Sequence, residues 1–409
     1  MIRDKRLYSK DKSKNFSQQI VEILIIIAIL YNSGSVLTTI DNRIGFVLML
    51  FTMMIMFLSK PMIKLRIKLN FLNTYFAVSL LVVLISMLIN GNFSYIENNI
   101  RYSIILIYSF YFVKNVSFNT FVDNYTKVMS FLVTVSVIPF YLINLLKVDL
   151  LRYLPIIENI NGVRYYNGFL FYFYTYSHKR NMGIFWEPAI FSSFIIVAML
   201  YEICYKKPSI PRLGILLIGL ISTGSTGGFL LFPFIIMIYL FKNSNVFSGL
   251  FIQLSLVIVG IWTFLYIDLI LNFLNKVNPL VFGKFFRENS ASVFERSSSP
   301  LVNLDLFLQN PIFGNGLGRA DDMYSNFMIS QTSTSTYYLA AFGLFGVMYT
   351  MSILYGSLKQ KRFNLIIRAL VFIIFILIVN KEPHARILLT HIMVFYLIKS
   401  EKEQGNYNT

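Results

Sequence analysis

The segment 180–188 reads Arg-Asn-Met-Gly-Ile-Phe-Trp-Glu-Pro and places a cation and a carboxylate directly before a long apolar stretch. Glu187 stands at the edge of that stretch, where an ionisable residue is by default a candidate for function. Pro188 suits the first turn of a helix, because no hydrogen bond is needed from its nitrogen there. The free amides and the dipole of such a helix start attract anions, and Arg180 adds positive charge beside them. The pattern therefore predicts an anion site at the start of this helix, with Arg180 and Glu187 at the same point.

A second polar break follows at 222–228, which reads Ser-Thr-Gly-Ser-Thr-Gly-Gly. The apolar stretch around it, 213–241, is too long for one span and too short for two full spans of a bilayer core about 30 Å thick. We therefore expect two short helices that meet at the break, and one long kinked helix is the alternative. Irregular backbone at membrane depth is tolerated where it lines a wet cavity. The second helix would begin on the same side as Glu187, and Ser225 and Thr226 at its start are expected to bind substrate.

Arg296 is the third candidate, in Phe-Glu-Arg-Ser-Ser-Ser-Pro ahead of an apolar pattern with helical spacing. Further along the chain, the segment 314–319 reads Gly-Asn-Gly-Leu-Gly-Arg. It lacks the preceding strand and the Gly-Lys-Ser/Thr sequence of a nucleotide-binding loop. We therefore interpret it as a turn that ties a polar loop down onto the helices.

Several other cations fall in two long polar segments that we expect on the outer side, where the positive-inside rule disfavours them. Those predicted to contact substrate are Arg164, Lys179 and Arg319. Those that fit a solvated loop residue equally well are Arg152, Lys276 and Lys284. The aromatic cluster at 165–176 could stack on sugar faces or dip into lipid headgroups, and the second reading is favoured. No metal site is predicted, because the histidines are scattered and Asp321 and Asp322 are adjacent rather than alternating.

Membrane-spanning helices must position these residues. Of the 409 residues, 56% are hydrophobic and 13% are charged, whereas soluble domains carry roughly 25% charged residues. Apolar stretches of the length that spans a bilayer, about 20 residues, recur along the chain. We predict an all-α, polytopic transmembrane bundle that forms one integral membrane domain over 1–409. The net charge of +17 then reflects the positive-inside rule rather than nucleic-acid binding.

The topology follows from charge and parity. A basic amino terminus precedes an apolar run at 20–30 without a small-residue cleavage site, which predicts an uncleaved signal-anchor and a cytoplasmic amino terminus. Following the spans outward and back gives twelve, and a cytoplasmic carboxyl terminus. The predicted spans are 20–40, 44–59, 71–89, 100–113, 127–147, 184–205, two within 213–241, 246–271, 336–357, 364–380 and 387–398. Two large outer loops, about 148–183 and 272–335, carry much of the polar sequence.

The order and sidedness of these motifs resemble those of a known family. Arg-x-x-Gly-x-Phe-x-Glu-Pro at 180–188 opens a span, and a short pair of Ser/Thr-Gly spans follows. The second outer loop then holds Arg296 and Pro-x-x-Gly-x-Gly-x-Gly at 311–318, and Gly343-x-x-Gly346 comes at the head of the next span. This pattern resembles the Wzy-type polymerases of bacterial O-antigen and capsular polysaccharide, which are relatives of the O-antigen ligases.

The resemblance implies a glycosyltransferase of the bacterial cytoplasmic (inner) membrane. Its substrate would be an oligosaccharide repeat unit on undecaprenyl pyrophosphate, and it would move the growing glycan onto the non-reducing end of the next lipid-linked unit. The family's pyrophosphate-holding arginines match Arg180 and Arg296. The reaction would be inverting and would need no metal or other cofactor. Membrane lipid, a chain-length regulator and a flippase of the same pathway are the implied partners, and nucleic acid is not one.

The chemistry of such a transfer fits these residues. Pyrophosphate leaves as a stable anion, so the protein must mainly position two substrates and stabilise the departing charge, which arginine does with a bidentate fork. Deprotonation of the acceptor hydroxyl falls to a carboxylate, and Glu187 is the candidate base. A structural ion pair between Glu187 and Arg180 is the equal alternative.

Two other functions compete with the polymerase. The resemblance implies that a ligase would carry a histidine shortly before the Tyr-Leu pair that follows the second outer loop. In this chain that pair is Tyr338-Leu339, and the sequence 332–339 reads Thr-Ser-Thr-Ser-Thr-Tyr-Tyr-Leu without a histidine. A flippase or secondary transporter also uses broken helices, but such proteins usually show matching halves. No internal repeat is visible in this chain, and its polar mass lies mostly on one predicted side.

Overall fold

The computed structural model describes residues 16–59, 70–90, 95–243, 291–325 and 331–399. We number its elements in chain order within those ranges. The α-helices are Phe16–Tyr31 (α1), Val36–Ile40 (α2), Asn42–Ser59 (α3), Phe71–Ile89 (α4), Ile96–Asn115 (α5), Phe118–Asn144 (α6), Pro188–Tyr205 (α7), Ile210–Thr223 (α8), Thr226–Asn243 (α9), Ala291–Gln309 (α10), Arg319–Ser325 (α11), Thr334–Phe342 (α12), Val347–Leu358 (α13), Leu365–Lys381 (α14) and Leu388–Ile398 (α15). The predicted span 246–271 lies outside the described residues.

The described helices are those of a membrane protein. Four helical stretches are long and apolar enough to cross a bilayer, and they are Phe71–Ile89, Phe118–Asn144, Pro188–Tyr205 and Thr334–Leu358. Five shorter apolar helices lie within α1, α3, α8, α9 and α15. Large apolar side chains such as Val47, Leu58 and Leu88 are mostly exposed on the outside of the bundle. Contiguous apolar surface of this kind marks a membrane or protein contact.

The first large polar loop contains a small sheet, which the all-α prediction did not include. Its strands are Ile156–Glu158 (β1), Arg164–Asn167 (β2) and Tyr172–Tyr174 (β3), antiparallel in the order β1-β2-β3. Each strand has only three or four residues. An alternating pattern needs about four to eight residues to be recognised, so these strands give no clear signal.

Helix α7 is the centre of the bundle. Every residue from Pro188 to Cys204 is buried, and the helix packs against α6, α8 and α9. A helix that is apolar on all sides is expected in the interior of a bundle. The start of α7, and with it Glu187, therefore lies among the other helices rather than at their edge.

The segment 181–186, which leads into α7, is hydrogen-bonded to two places where a helix is interrupted. The predicted span 20–40 is divided between α1 and α2 at Gly34, whose φ is +95°. There the Trp186 amide donates to Gly34 O at 3.0 Å, and the Val36 amide donates to Ile184 O at 3.0 Å. A Cβ on Gly34 would lie 2.7 Å from the Trp186 ring, so only glycine allows this close approach.

The second break separates α8 from α9, as the two-helix prediction for 213–241 expects. Gly224 ends α8 in the left-handed conformation, with φ +53°, which is a common helix C-terminus. The Asn181 amide donates to Ser222 O at 2.9 Å, and the Asn181 side chain donates to Ser222 Oγ at 3.0 Å. The predicted alternative of one long kinked helix is wrong.

The far end of α7 carries a separate ionic network. The Glu202 side chain is fully buried, and its two carboxylate oxygens accept bonds of 2.9 and 2.8 Å from Arg212 Nη1. Lys206 lies 3.6 Å from the same carboxylate and 2.6 Å from Asp123 of α6. The fifteen positions between Glu187 and Glu202 correspond to roughly 22 Å along the helix. Helix α7 thus has a charged group at each end and an apolar body between them.

Candidate functional site

Five charged side chains from three parts of the chain meet near the start of α7, and we call them the charged cluster. They are Arg180, Glu187, Arg296, Lys381 and Glu382. Arg296 Nη2 lies 2.6 Å from Glu382 Oε1, and Arg296 Nε donates to Lys381 O at 3.3 Å. The loop before α7, helix α10 and the end of α14 are therefore joined at this point.

Arg180 is positioned by the end of α8. Its Nε donates to the carbonyl of Thr223 at 3.1 Å, which is the last residue of that helix. A cation is favourable at this place, because the C-terminus of a helix carries partial negative charge. The guanidinium group of Arg180 also lies within electrostatic reach of Glu187 and Glu382. An arginine has five N–H donors, so the bond to Thr223 leaves donors for a ligand.

Lys381 reaches the start of α9 through two serines. Its Nζ donates to Ser192 Oγ of α7 at 3.0 Å, and Ser192 Oγ donates to Ser225 Oγ at 3.0 Å. Both serines are buried. Gly227 makes room for the lysine, because a Cβ at that position would lie 2.8 Å from Lys381 Cδ. The glycine-rich break thus serves to bring α9 close to the charged cluster.

Glu187 has an environment that favours its protonated form. Burial, followed by the charge of Glu382 and a hydrogen bond between the two carboxyl groups, raises the pKa of Glu187 well above its usual range. Arg296 and Arg180 act in the opposite direction but more weakly. Glu187 stands at the N-cap of α7 without making a side-chain cap bond. Its carboxyl group is therefore bonded to that of Glu382 rather than to the amides at the start of the helix.

The charged cluster has an excess of positive charge. Three cations face two carboxyl groups, and burial together with the charge of Glu382 raises the pKa of Glu187. Arginine and lysine in a partly dry site bind phosphate oxygens strongly through charge-assisted hydrogen bonds. The arrangement can hold an anion beside Glu187, a carboxyl group whose pKa is raised to about 8.

The structure brings together four of the residues selected from the sequence. Arg180, Glu187 and Arg296 belong to the charged cluster, and Ser225 contacts it through Ser192. Thr226 begins α9 one residue further on. Their predicted roles in catalysis and substrate binding stay predictions.

The other three predicted substrate-binding residues lie elsewhere. Arg164 pairs with Glu158 across β1 and β2, with 2.7 Å between Nε and Oε2, and its side chain is 66% exposed. Lys179 is exposed directly before Arg180. Arg319 begins α11, close to Tyr95 at the start of α5. A contact of these side chains with substrate would have to come from a part of the ligand outside the charged cluster.

Sequence reasoning missed Lys381 and Glu382. They lie in the predicted turn between the spans 364–380 and 387–398, and no functional role is predicted for them. Their signal was present in the sequence, because two adjacent charges of opposite sign follow the uninterrupted apolar run of α14. Like Glu187, Lys381 and Glu382 are ionisable residues at the edge of a span, which makes them candidates for a functional site.

The glycine-rich segment 314–319 is a structural tie, as predicted. The amides of Asn315 and Gly316 donate to Ala340 O and Ala341 O at 2.9 and 2.8 Å. A Cβ on Gly314 would lie 2.4 Å from the backbone of Ala341. These amides are used to fix the segment against α12, so they are not free to cradle a phosphate.

The predicted headgroup-dipping role of the aromatic cluster is wrong for several of its members. Tyr165, Tyr172 and Phe173 are buried in the small sheet or beneath it. Tyr174 instead braces the site, because its hydroxyl donates to Trp186 O at 2.7 Å. Tyr176 is exposed and stacks on Tyr174, with 4.8 Å between ring centroids.

The two histidines near α15 belong to the packed interior. The ring Nδ1 of His384 lies 2.9 Å from Thr390 Oγ1, and Nε2 of His391 lies 2.9 Å from Ala385 O. Among the described residues, no group of three or more His, Cys, Asp or Glu side chains is arranged to hold a metal ion.

The fold and the charged cluster describe a helical membrane protein with a cationic site at one end of its bundle. Comparison with protein-family models and with curated proteins finds no match to this chain.

Proposed function

We propose that this protein is a polysaccharide polymerase that transfers a growing glycan from undecaprenyl pyrophosphate to the non-reducing end of the next lipid-linked repeat unit. The observation that carries the proposal is the charged cluster. Two arginines and a lysine surround Glu187, whose pKa lies above the usual range of a carboxyl group. Such a site matches a reaction that needs an anion to be stabilised and a hydroxyl proton to be removed.

The topology that goes with this function has twelve spans and the charged cluster on the outer face of the bacterial cytoplasmic membrane. The opposite end of α7 then faces the cytoplasm, and its cations Lys206, Arg212 and Lys242 accord with the positive-inside rule. Both termini are cytoplasmic in this arrangement. The substrate and the site would meet where lipid-linked sugars are displayed after translocation.

The proposed step is a displacement at the anomeric carbon of the donor glycan. The acceptor hydroxyl oxygen forms a bond to that carbon, and the bond from the carbon to the pyrophosphate oxygen breaks with its electron pair. The hydroxyl proton passes to Glu187. Attack from the face opposite the leaving group inverts the configuration of the anomeric carbon.

Arg180 and Arg296 would hold the departing pyrophosphate, and Lys381 would add a third charge. Arg296 is paired with Glu382 in the free protein, which keeps its guanidinium pointed into the site. Because arginine can donate to a carboxylate and a phosphate at once, the ion pair is compatible with binding. Removal of a single charge-stabilising donor from such a site typically lowers kcat by about 10²–10³-fold.

Reconstitution tests the proposal against the two competing functions. Purified protein in proteoliposomes is supplied with lipid-linked repeat units, and the products are separated by size. A ladder of increasing length supports the polymerase. A single transfer to another acceptor indicates a ligase, and unmodified lipid that has changed leaflet indicates a transporter.

A further inference from the structure

A cavity of about 340 Å³ lies beside the charged cluster and plays no part in the step described above. It is bordered by the α1–α2 break, by α3 and α5, and by the turn that leads into α15. The cavity and the cluster share a wall. Trp186 and Pro383 line the cavity, and their chain neighbours Glu187 and Glu382 belong to the charged cluster.

The cavity offers hydrogen-bonding groups without a full set of partners. The side-chain nitrogen of Asn32 is buried and has no hydrogen-bond partner in the part of the chain that the structure describes. The hydroxyls of Thr38 and Thr39 donate to Ser35 O and Val36 O, which leaves their oxygens able to accept. A buried donor without a partner is costly unless a ligand or water satisfies it.

The cavity carries no excess charge, which distinguishes it from the charged cluster. Two arginines reach it, and each is paired with a carboxylate. Arg101 lies 2.8 Å from Glu97, and Arg386 is bound to Asp321. Both cations are thus neutralised before a ligand binds, whereas the charged cluster has one cation in excess. A neutral ligand with many hydroxyl groups fits this balance better than an anion does.

The remaining wall is apolar and aromatic, because the Trp186 ring is joined by Met49 and Ile105. A sugar ring has hydroxyls at its edge and C–H groups on its faces, and it accordingly binds to amides and aromatic rings together. Pockets of about 300–1,000 Å³ with a few placed polar groups are the usual form of small-ligand sites. The volume suits one or two sugar rings.

We propose that this cavity binds the terminal sugar of the acceptor glycan and presents its hydroxyl to Glu187. The inference rests on the proposed polymerase function. It assigns the two substrates to two places: the donor pyrophosphate to the charged cluster, and the acceptor's non-reducing end to the cavity. Trp186 lines the cavity and directly precedes Glu187 of the charged cluster in the chain.

Trp186 provides a direct probe of the cavity. The chain has two tryptophans, Trp186 and Trp262, so a Trp262→Phe background leaves Trp186 as the single reporter. The probe is the oligosaccharide repeat unit, released by mild acid from the lipid-linked intermediate that accumulates in cells lacking this gene. It carries no phosphate and can act only as an acceptor.

A matched pair of glycine substitutions isolates the cavity. Gly45 of α3 lines it, and a Cβ there would lie 3.1 Å from Asn32 Oδ1, so Gly45→Leu fills the space. Gly214 of α8 has nothing within 4 Å of an added Cβ, so Gly214→Leu is the control. Asn32→Ala removes the unpartnered donor without adding volume. This variant replaces Gly45→Leu in the test if thermal unfolding shows that Gly45→Leu is misfolded.

We expect saturable quenching of Trp186 by the free oligosaccharide. The apparent Kd should rise by about tenfold or more in Gly45→Leu and by roughly fivefold in Asn32→Ala. Gly214→Leu and Arg180→Ala should leave it unchanged. Quenching that is absent, or that Gly45→Leu and Asn32→Ala do not weaken, overturns the inference.

Transfer kinetics separate this inference from the proposed function. Transfer from the lipid-linked donor to the free oligosaccharide should show a raised KM for that acceptor in Gly45→Leu, with kcat preserved. If transfer occurs with an unchanged KM in this variant, the polymerase stands and the acceptor site is wrong. If saturable quenching occurs without any transfer, the sugar site stands and the polymerase is wrong.

Discussion

Arg296 and Glu382 form an ion pair of 2.6 Å between Nη2 and Oε1, although they lie 86 positions apart in the chain. The Glu382 side chain is only 4% exposed, whereas that of Arg296 is 36% exposed. A carboxylate buried to this degree requires a charged partner. The pair therefore fixes α10 to the end of α14, and it also places a second carboxyl group beside Glu187.

Replacement of Glu382 by glutamine should make Glu187 more acidic. The charge of Glu382 is one of the causes that raise the pKa of Glu187, so its removal should lower that pKa. The acidic limb of the pH–rate profile should move to lower pH in Glu382→Gln. An acidic limb that stays in place or moves to higher pH would show that the two carboxyl groups are not coupled.

The pH dependence of the native protein follows from the same shift. A general base acts in its deprotonated form, so the rate should rise with pH through an apparent pKa above the ordinary value of glutamate, about 4.3. Glu187→Gln should remove this limb and lower kcat by about 10²–10⁴-fold. A Glu187→Gln rate close to that of the native protein would favour the structural ion pair with Arg180 instead.

Gly227→Ala tests the placement of Lys381. The added Cβ would lie 2.8 Å from Lys381 Cδ, and the flexible lysine should move away from Ser192 at little cost in stability. We expect a fall in kcat of roughly tenfold, since Lys381 would add one of three positive charges around the leaving group in the proposed reaction. Gly214→Ala, which meets open space, is the control and should keep both the rate and the melting temperature.

Glu202→Ala should affect stability rather than catalysis. Its carboxylate is fully buried and is the partner of Arg212 and Lys206, and breaking a buried pair typically costs about 3–5 kcal/mol. Glu97→Ala is the comparison, because Glu97 is 75% exposed in its pair with Arg101 and such pairs contribute about 0–1 kcal/mol. Thermal unfolding in detergent measures the difference. Equal melting temperatures for the two variants would contradict the structural role assigned to Glu202.

The positions of the helices and of three candidate site residues could be predicted where apolar sequence gives way to polar sequence. Runs of apolar residues located most of the described helices within a few positions, and the glycine-rich break at 222–228 separated α8 from α9 as expected. We could select Arg180, Glu187 and Arg296 because charged residues at the edge of a span are energetically costly. Such residues are therefore rare unless they have a function. These signals are local, and a single sequence displays them directly.

The rest depends on contacts between distant segments. Nothing in the sequence pairs Arg296 with Glu382, or brings Lys381 to Ser192 across 189 positions. The strands of the small sheet are too short to show alternation. The cavity beside Trp186 is formed by four separate chain segments, so its existence could not be predicted from any one of them.

The proposed function requires an arginine-lined pyrophosphate site at the start of α7 for the glycan ladder to form. The most direct measurement is the ladder from cells that lack this gene and are complemented with native protein, Arg180→Ala, Arg296→Ala or Arg152→Ala. Arg152 is an exposed arginine of the same loop, so it controls for general loss of charge, and immunoblotting of membranes controls for expression. We predict single repeat units with Arg180→Ala and Arg296→Ala, and a full ladder with native protein and Arg152→Ala. A ladder in cells that lack the gene would contradict the polymerase function. A full ladder with Arg180→Ala and also with Arg296→Ala would contradict the pyrophosphate site.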